Sequence, residues 1–270
     1  MKFERPEQSI EKLDRGEFFA EKIVEMGPEL RLEAEKLNKL GFSVDENCRI
    51  KPELFLGPIA VKELKNDLQK VKDLKAKFDG EAKRSPEKQA EKNIGEALEM
   101  AKTIGVNGHW FGGRFLAVRS SMYDDFCGNK VDNLIYDSQT FEPLAAIDAT
   151  TDQASKLPQQ KEIFKKILEG AEVKYGYKLE KSDQAPGFKA VKNPNMKLPY
   201  FIISFKPDEL EEIARSLAAG TGGSALHDAS KGLVERLSEQ AENFSQHPAI
   251  KPEIKAAYGR FLKIFESLRF

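Results

Sequence analysis

Residues 131–150, VDNLIYDSQTFEPLAAIDAT, read as two short strands joined by a tight connection. Val131 to Asp137 and Pro143 to Thr150 are rich in β-branched, aromatic and small apolar residues, and the polar Ser138 to Glu142 link is short enough for a hairpin. Just upstream, Phe115 to Ser120 (FLAVRS) has the same texture and gives a third strand. Ahead of that, Ser85-Pro86-Glu87 is a helix start, with Ser as cap, Pro at the first position and Glu in the first turn; the helix should run to about Ile104. Beyond Thr150 another helix is expected from Leu157 or Pro158 to about Ala171, on Ile163, Ile167 and Leu168. Tyr200 to Phe205 (YFIISF), almost wholly apolar, reads as a buried strand. The order helix, strand, strand, strand, helix, strand predicts an α/β core with a small mixed sheet.

Outward from this core the chain reads as helical in both directions. Between Pro6 and Gly41 the pattern predicts two helices, broken at Gly27-Pro28. A further amphipathic helix spans about Pro58 to Phe78, with Ile59, Val61, Leu64, Leu68, Val71, Leu74 and Phe78 at spacings of three and four, and stops at Asp79-Gly80. Pro207-Asp208-Glu209 opens a helix that Gly220 to Gly223 ends, and two more, near Ala225 to Phe244 and Pro252 to Leu268, finish the sequence. Loops are expected at Gly105 to Gly113 and in the lysine-bearing segment through Asn193-Pro194-Asn195. The expected division is a helical N-terminal extension over 1–84, an α/β core over 85–220 and C-terminal helices over 221–270 packing on that core.

Composition narrows the function classes. A chain of 270 residues that is 40% hydrophobic and 32% charged has ample material for a core and a solvated surface. No apolar run approaches the roughly 20 residues of a membrane helix, and the opening MKFERPEQ is charged throughout, so a cytoplasmic location and no membrane partner are expected. Cys48 and Cys127 have no Cys or His neighbours at metal-finger spacing and read as two free thiols. The net charge of −1 is unevenly spread: Lys156 to Lys197 holds ten lysines against five acidic residues, and Pro207 to His247 eight acidic residues against three Lys or Arg. No Gly-Lys-Ser/Thr follows the glycines near residue 108, and neither a nucleophile elbow nor a dinucleotide glycine pattern is present, which sets aside P-loop enzymes, triad hydrolases and nicotinamide enzymes.

The element order, with an acid on each of two consecutive strands, resembles the common core of the PD-(D/E)XK nuclease superfamily over about residues 94–205. In that family the second strand supplies an Asp and the third an acid, any residue, then Lys. The matching positions are Asp132 in Val131-Asp132-Asn133 and Asp148-Ala149-Thr150. The run Arg119-Ser120-Ser121-Met122-Tyr123-Asp124-Asp125 followed by Val131-Asp132-Asn133 is also similar to uncharacterised bacterial proteins with this core. The resemblance implies Mg²⁺ or Mn²⁺ held by Asp132 and Asp148, with Glu96 and Glu99 of the preceding helix as further ligands, and DNA or RNA as substrate. Thr150 stands where the family has its lysine. A working site must then take a lysine from elsewhere, with Lys161 and Lys165 the candidates and Lys166 and Gln160 beside them, or the chain is a degenerate member that binds nucleic acid or a protein partner without catalysis. A structural or assembly protein is the third class.

The chemistry of these residue types stands apart from the family name. Hydrolysis of a phosphodiester assisted by a hard divalent ion needs oxygen ligands from a few carboxylates, with water and phosphate completing the shell. On strands of period two, Asp132, Leu134 and Tyr136 share a face, as do Leu144, Ala146, Asp148 and Thr150, and the hairpin register decides whether the two acids meet. An Asp between Ile147 and Ala149 is costly without a cation or hydrogen bonds. The competing structural assignment makes Asp132 a turn acceptor and Asp148 a strand-end cap. Asp124 and Asp125 read as turn chemistry or as extra ligands, and His109-Trp110 as a packed aromatic pair or a base-stacking loop.

Overall fold

A computed structural model of the chain describes residues 6–128, 130–151, 159–182, 187–193, 195–220 and 224–267. The N-terminal region holds one helix where two were expected: α1 (Pro6–Lys39) runs straight through Pro28. A proline inside a helix removes one hydrogen bond and costs about 3 kcal/mol. Burial of Met26, Leu30, Ala34 and Leu37 on both sides of it offsets that cost. Helix α2 (Val61–Arg84) likewise continues past Asp79-Gly80, the expected stop, as far as Ser85. Ser85 caps α3 (Pro86–Ile104), its hydroxyl accepting from the Lys88 N–H at 3.2 Å. Helices α1 and α3 pack closely where Gly16 meets Ala90; a methyl group on Gly16 would collide with the Ala90 Cβ, so only glycine fits.

The glycine-bearing 105–113 stretch is ordered as two tight helical turns. Trp110 within it is buried and stacked on Phe205 at 6.2 Å, while His109 is exposed. Strands β1 (Phe115–Arg119), β2 (Asn133–Asp137) and β3 (Pro143–Thr150) follow as an antiparallel meander. The β2–β3 turn is closed by Asp137, which accepts the N–H groups of Gln139 and Thr140 and is gripped by Arg114 at 2.5 and 2.7 Å. Asn133 lies opposite Ile147 and Leu134 opposite Ala146, and the Asp132 N–H donates to the Ile147 carbonyl at 3.2 Å. Continued by one residue, this register sets Asp132 across from Asp148.

Helix α4 (Gln160–Glu169) comes next among the described residues, and its expected start at Leu157 or Pro158 lies outside them. The segment read as a lysine-bearing loop is instead four short strands: β4 (Ala171–Val173), β5 (Tyr177–Lys181), β6 (Phe188–Lys192) and β7 (Met196–Leu198), paired β4 with β7 and β5 with β6. Ala171, Val173, Tyr175, Tyr177 and Leu179 are all buried, a period-two pattern masked by the charged residues between them. Strand β8 (Tyr200–Ser204) then joins β3 in parallel, giving the mixed sheet β1-β2-β3-β8.

Helices α5 (Pro207–Ala218), α6 (Ser224–Gln246) and α7 (Pro252–Glu266) complete the chain; residues 221–223, in the expected stop after α5, and Leu268 lie outside the described residues. One sheet face, with Phe115, Ile135, Ile147 and Ile203, packs on Leu233 and Leu237 of α6 and Phe261 and Phe265 of α7. On the opposite face Tyr136 donates to the Tyr177 carbonyl at 2.8 Å and meets Phe42 edge to face. One continuous apolar core therefore joins α1, the sheet and the C-terminal helices. Among the described residues, no helix is long and apolar enough to cross a membrane.

Candidate metal centre

Helix α3 carries Glu96, Glu99 and Lys102 at successive intervals of three, which places them along one side of the helix. Opposite them β1 ends at Arg119, a tight turn at Tyr123–Cys127 presents Asp125, and Asp132 leads into β2. The short segment around Arg49 is pinned to the same spot: the Arg119 N–H donates to the Cys48 carbonyl at 2.9 Å and the Ile50 N–H to the Arg119 carbonyl at 3.0 Å. The end of β1, the turn, the approach to β2 and the Arg49 segment are thus fastened around one point by backbone hydrogen bonds and the sheet ladder, and α3 reaches it through its side chains.

Glu99, Asp125 and Asp132 meet there, each offering a carboxylate oxygen within 4.8 Å of the others. Their side chains are only 20, 10 and 14% exposed. Three cations surround them. Arg49 donates to Asp125 at 2.9 Å and to Glu99 at 3.2 Å, bridging two of the acids. Arg119, itself buried, donates to both oxygens of Glu96 at 3.0 and 3.3 Å and to Glu99. Lys102, fully buried, lies 3.0 Å from Asp132, whose same oxygen accepts the Ala149 N–H at 2.8 Å.

These cations do not fully offset the crowding of negative charge. Burial first, and then Glu99, push the Asp125 carboxyl up to about 8 against the opposing pull of Arg49. Asp132 is also raised, chiefly by burial; Lys102 and the Ala149 N–H pull it down, and Asp148 pushes it up. A carboxylate group this crowded could hold a hard cation, since a divalent ion would relieve the repulsion directly. The all-oxygen donor set suits Mg²⁺, Mn²⁺ or Ca²⁺.

Asp132 and Glu99, expected ligands, are both in this group of three. Asp148 is across the strand pair, buried, with the Tyr200 hydroxyl donating to it at 2.8 Å, and its charge is felt by Asp132 without its joining the three. Glu96 stands at the edge, held by Arg119. Lys161 and Lys165 have exposed side chains on α4, whose buried positions are Ile163 and Lys166. Lys166 donates to the Lys130 carbonyl at 3.1 Å and sits 4.7 Å over the Tyr200 ring. The buried lysine beside the acids is Lys102, which sequence reasoning passed over although Glu96, Glu99 and Lys102 share a helical spacing. Asp125 is the third acid of the group, whereas Asp124 is a turn residue that accepts from Ser121 and from the Lys174 and Tyr175 N–H groups. Arg49 had no local sequence signal, because only the tertiary fold brings it here.

Through Glu99 the group borders a cleft of about 470 Å³ between α2 and α3, lined in part by Arg49, Phe78, Glu96, Met122 and Phe126. No family model, curated protein or solved structure matches the chain.

Proposed function

We propose that this protein is a metal-dependent phosphodiesterase acting on nucleic acid, with Glu99, Asp125 and Asp132 as the ligands of Mg²⁺ or Mn²⁺ and Lys102 as the lysine absent from the third strand. The observation that carries this reading is the meeting of three carboxylates from separate elements at one mostly buried point. The helix, strand, strand, strand, helix, strand order and the resemblance to the PD-(D/E)XK core support it, with the ligand set shifted from Asp148 toward Asp125. When bound, a hard divalent ion supplies Lewis-acid polarisation of a phosphoryl oxygen and an activated water. Lys102 favours the ionised form of Asp132 and so keeps that carboxylate ready for the ion. Asp148, which accepts the Tyr200 hydroxyl, adds a further negative charge near Asp132.

Calorimetric titration with Mn²⁺ and cleavage of labelled DNA and RNA test this. Wild type should take up the ion and cut one of the two, while Asp132→Ala should do neither; intact substrates with both ions would rule out the enzyme. The second reading, a non-catalytic nucleic-acid or partner binder, is favoured by one observation: Arg49 and Arg119 already bridge Glu99, Asp125 and Glu96. It requires binding that survives chelation and Asp132→Ala.

A further inference from the structure

The cleft beside the three acids has two unlike ends. At the inner end stand Arg49 and Glu99, the latter also a member of the metal group. At the outer end Phe78 of α2 and Phe126 lie with ring centroids 6.0 Å apart, and Phe78 is 45% exposed, a large aromatic surface left open to solvent. Phe126 follows Asp125 directly, so the aromatic wall and a metal ligand share one turn. Two aromatic rings inclined at 46° beside a position for a cation can take a base against one ring and direct its phosphate toward the cation.

The charged lining of the cleft is mixed, with Asp79, Glu96 and Glu99 among its acids and Arg49, Lys75 and Lys92 among its cations. Lys75 and Lys92 share Asp79 at 3.7 and 2.7 Å, and Glu91 accepts from Lys88 at 2.8 Å, all at side chains 33 to 55% exposed. Such surface pairs are weak and exchangeable. Glu96 and Glu99 make the inner end repel a bare anion, so a phosphate enters there only beside Arg49 and a bound divalent ion. The volume of about 470 Å³ fits one nucleotide-sized group. A base inside a duplex has both faces covered by its neighbours and cannot be laid against Phe78 without unstacking.

We propose that the cleft receives an unpaired nucleotide, its base against Phe78 and Phe126 and its phosphate toward Arg49 and the ion position at Glu99, so that the substrate is single-stranded nucleic acid. The placement of the phosphate rests on the metal-dependent reading above; the stacking does not. The test is fluorescence anisotropy with the full chain and a labelled phosphorothioate oligothymidylate, in Mn²⁺ and in EDTA, against a hairpin duplex of the same backbone chemistry. The single strand should bind about tenfold or more tighter than the duplex, Phe78→Ala should abolish that preference, and Phe78→Trp should restore it. Phe78→Ala should leave Mn²⁺ uptake unchanged by calorimetry. Duplex binding as tight as single strand, wild-type binding by Phe78→Ala, or thymidine monophosphate competing as well as the strand would each overturn the proposal. A Phe78-dependent preference in EDTA without Mn²⁺ uptake would sink the metal reading and keep the cleft; Mn²⁺ uptake without that preference would do the reverse.

Discussion

Lys102 reaches across from α3 to Asp132 with its ammonium 3.0 Å from the carboxylate and its side chain wholly buried, so the base of the helix and the head of β2 are joined by a charge pair shielded from water. Removing one member of such a pair leaves the other uncompensated. Lys102→Met should therefore destabilise the metal-free protein by about 3–5 kcal/mol in urea unfolding. Lys102→Met combined with Asp132→Asn should recover much of that loss. Two single losses that simply add would show that the pair is not coupled.

Stability without metal should depend on pH through Asp125. Its carboxyl is pushed up to about 8 from an ordinary 3.8, so between those values the folded chain retains a proton that the unfolded chain has released. The contribution is fully present below the unfolded value and is lost as pH rises through about 8. In EDTA the urea midpoint should fall between about pH 5 and about 8 more steeply for wild type than for Asp125→Asn. Because the ion takes the place of that proton, Mn²⁺ affinity should climb over the same interval. Parallel curves for the two proteins would refute the assignment.

Ligand variants should separate the group of three from its surroundings. At a Mn²⁺ concentration about 100 times its dissociation constant, wild type should gain about 2.7 kcal/mol in thermal unfolding. Glu99→Gln and Asp125→Asn should lose most of that gain. Glu96→Gln should keep it, since Glu96 is 42% exposed and lies outside the three. An equal loss in Glu96→Gln would place the ion nearer Arg119.

Gly105 tests the packing under the site. A methyl group there would lie 2.5 Å from the Trp110 ring, which is itself pressed on Phe205. Gly105→Ala should cost about 1–3 kcal/mol and shift Trp110 fluorescence, the chain's one tryptophan. An unchanged emission spectrum with full stability would show that the ring has room to move.

Much of the fold could be read from local pattern. Pro143–Thr150 and the Ser85 cap fall where turn chemistry and strand texture put them, because both depend on a few neighbouring residues. Pro28 was misleading, since its local cost is outweighed by burial that only the tertiary structure supplies. The alternation from Ala171 to Leu179 is hidden beneath the lysine content of the segment, where spacing is what matters. At the site, Asp132 and Glu99 were legible from residue type on a strand and a helix. Asp125 looked like its neighbour Asp124, and only the path of the turn directs one toward Glu99 and Asp132 and the other toward the Lys174 and Tyr175 N–H groups. Lys102 escaped because it lies on a helix, away from the strand position held by Thr150.

Glu99 and Lys102 occupy adjacent turns of one rigid rod, braced along its length by α1. Any tilt or slide of α3 carries acid and base together, keeping their mutual distance while changing both gaps to Asp132 at once. The geometry of the centre is therefore tied to the seating of α3 on α1, and a substitution that shifts that seating, such as one at Gly16, would alter both gaps together.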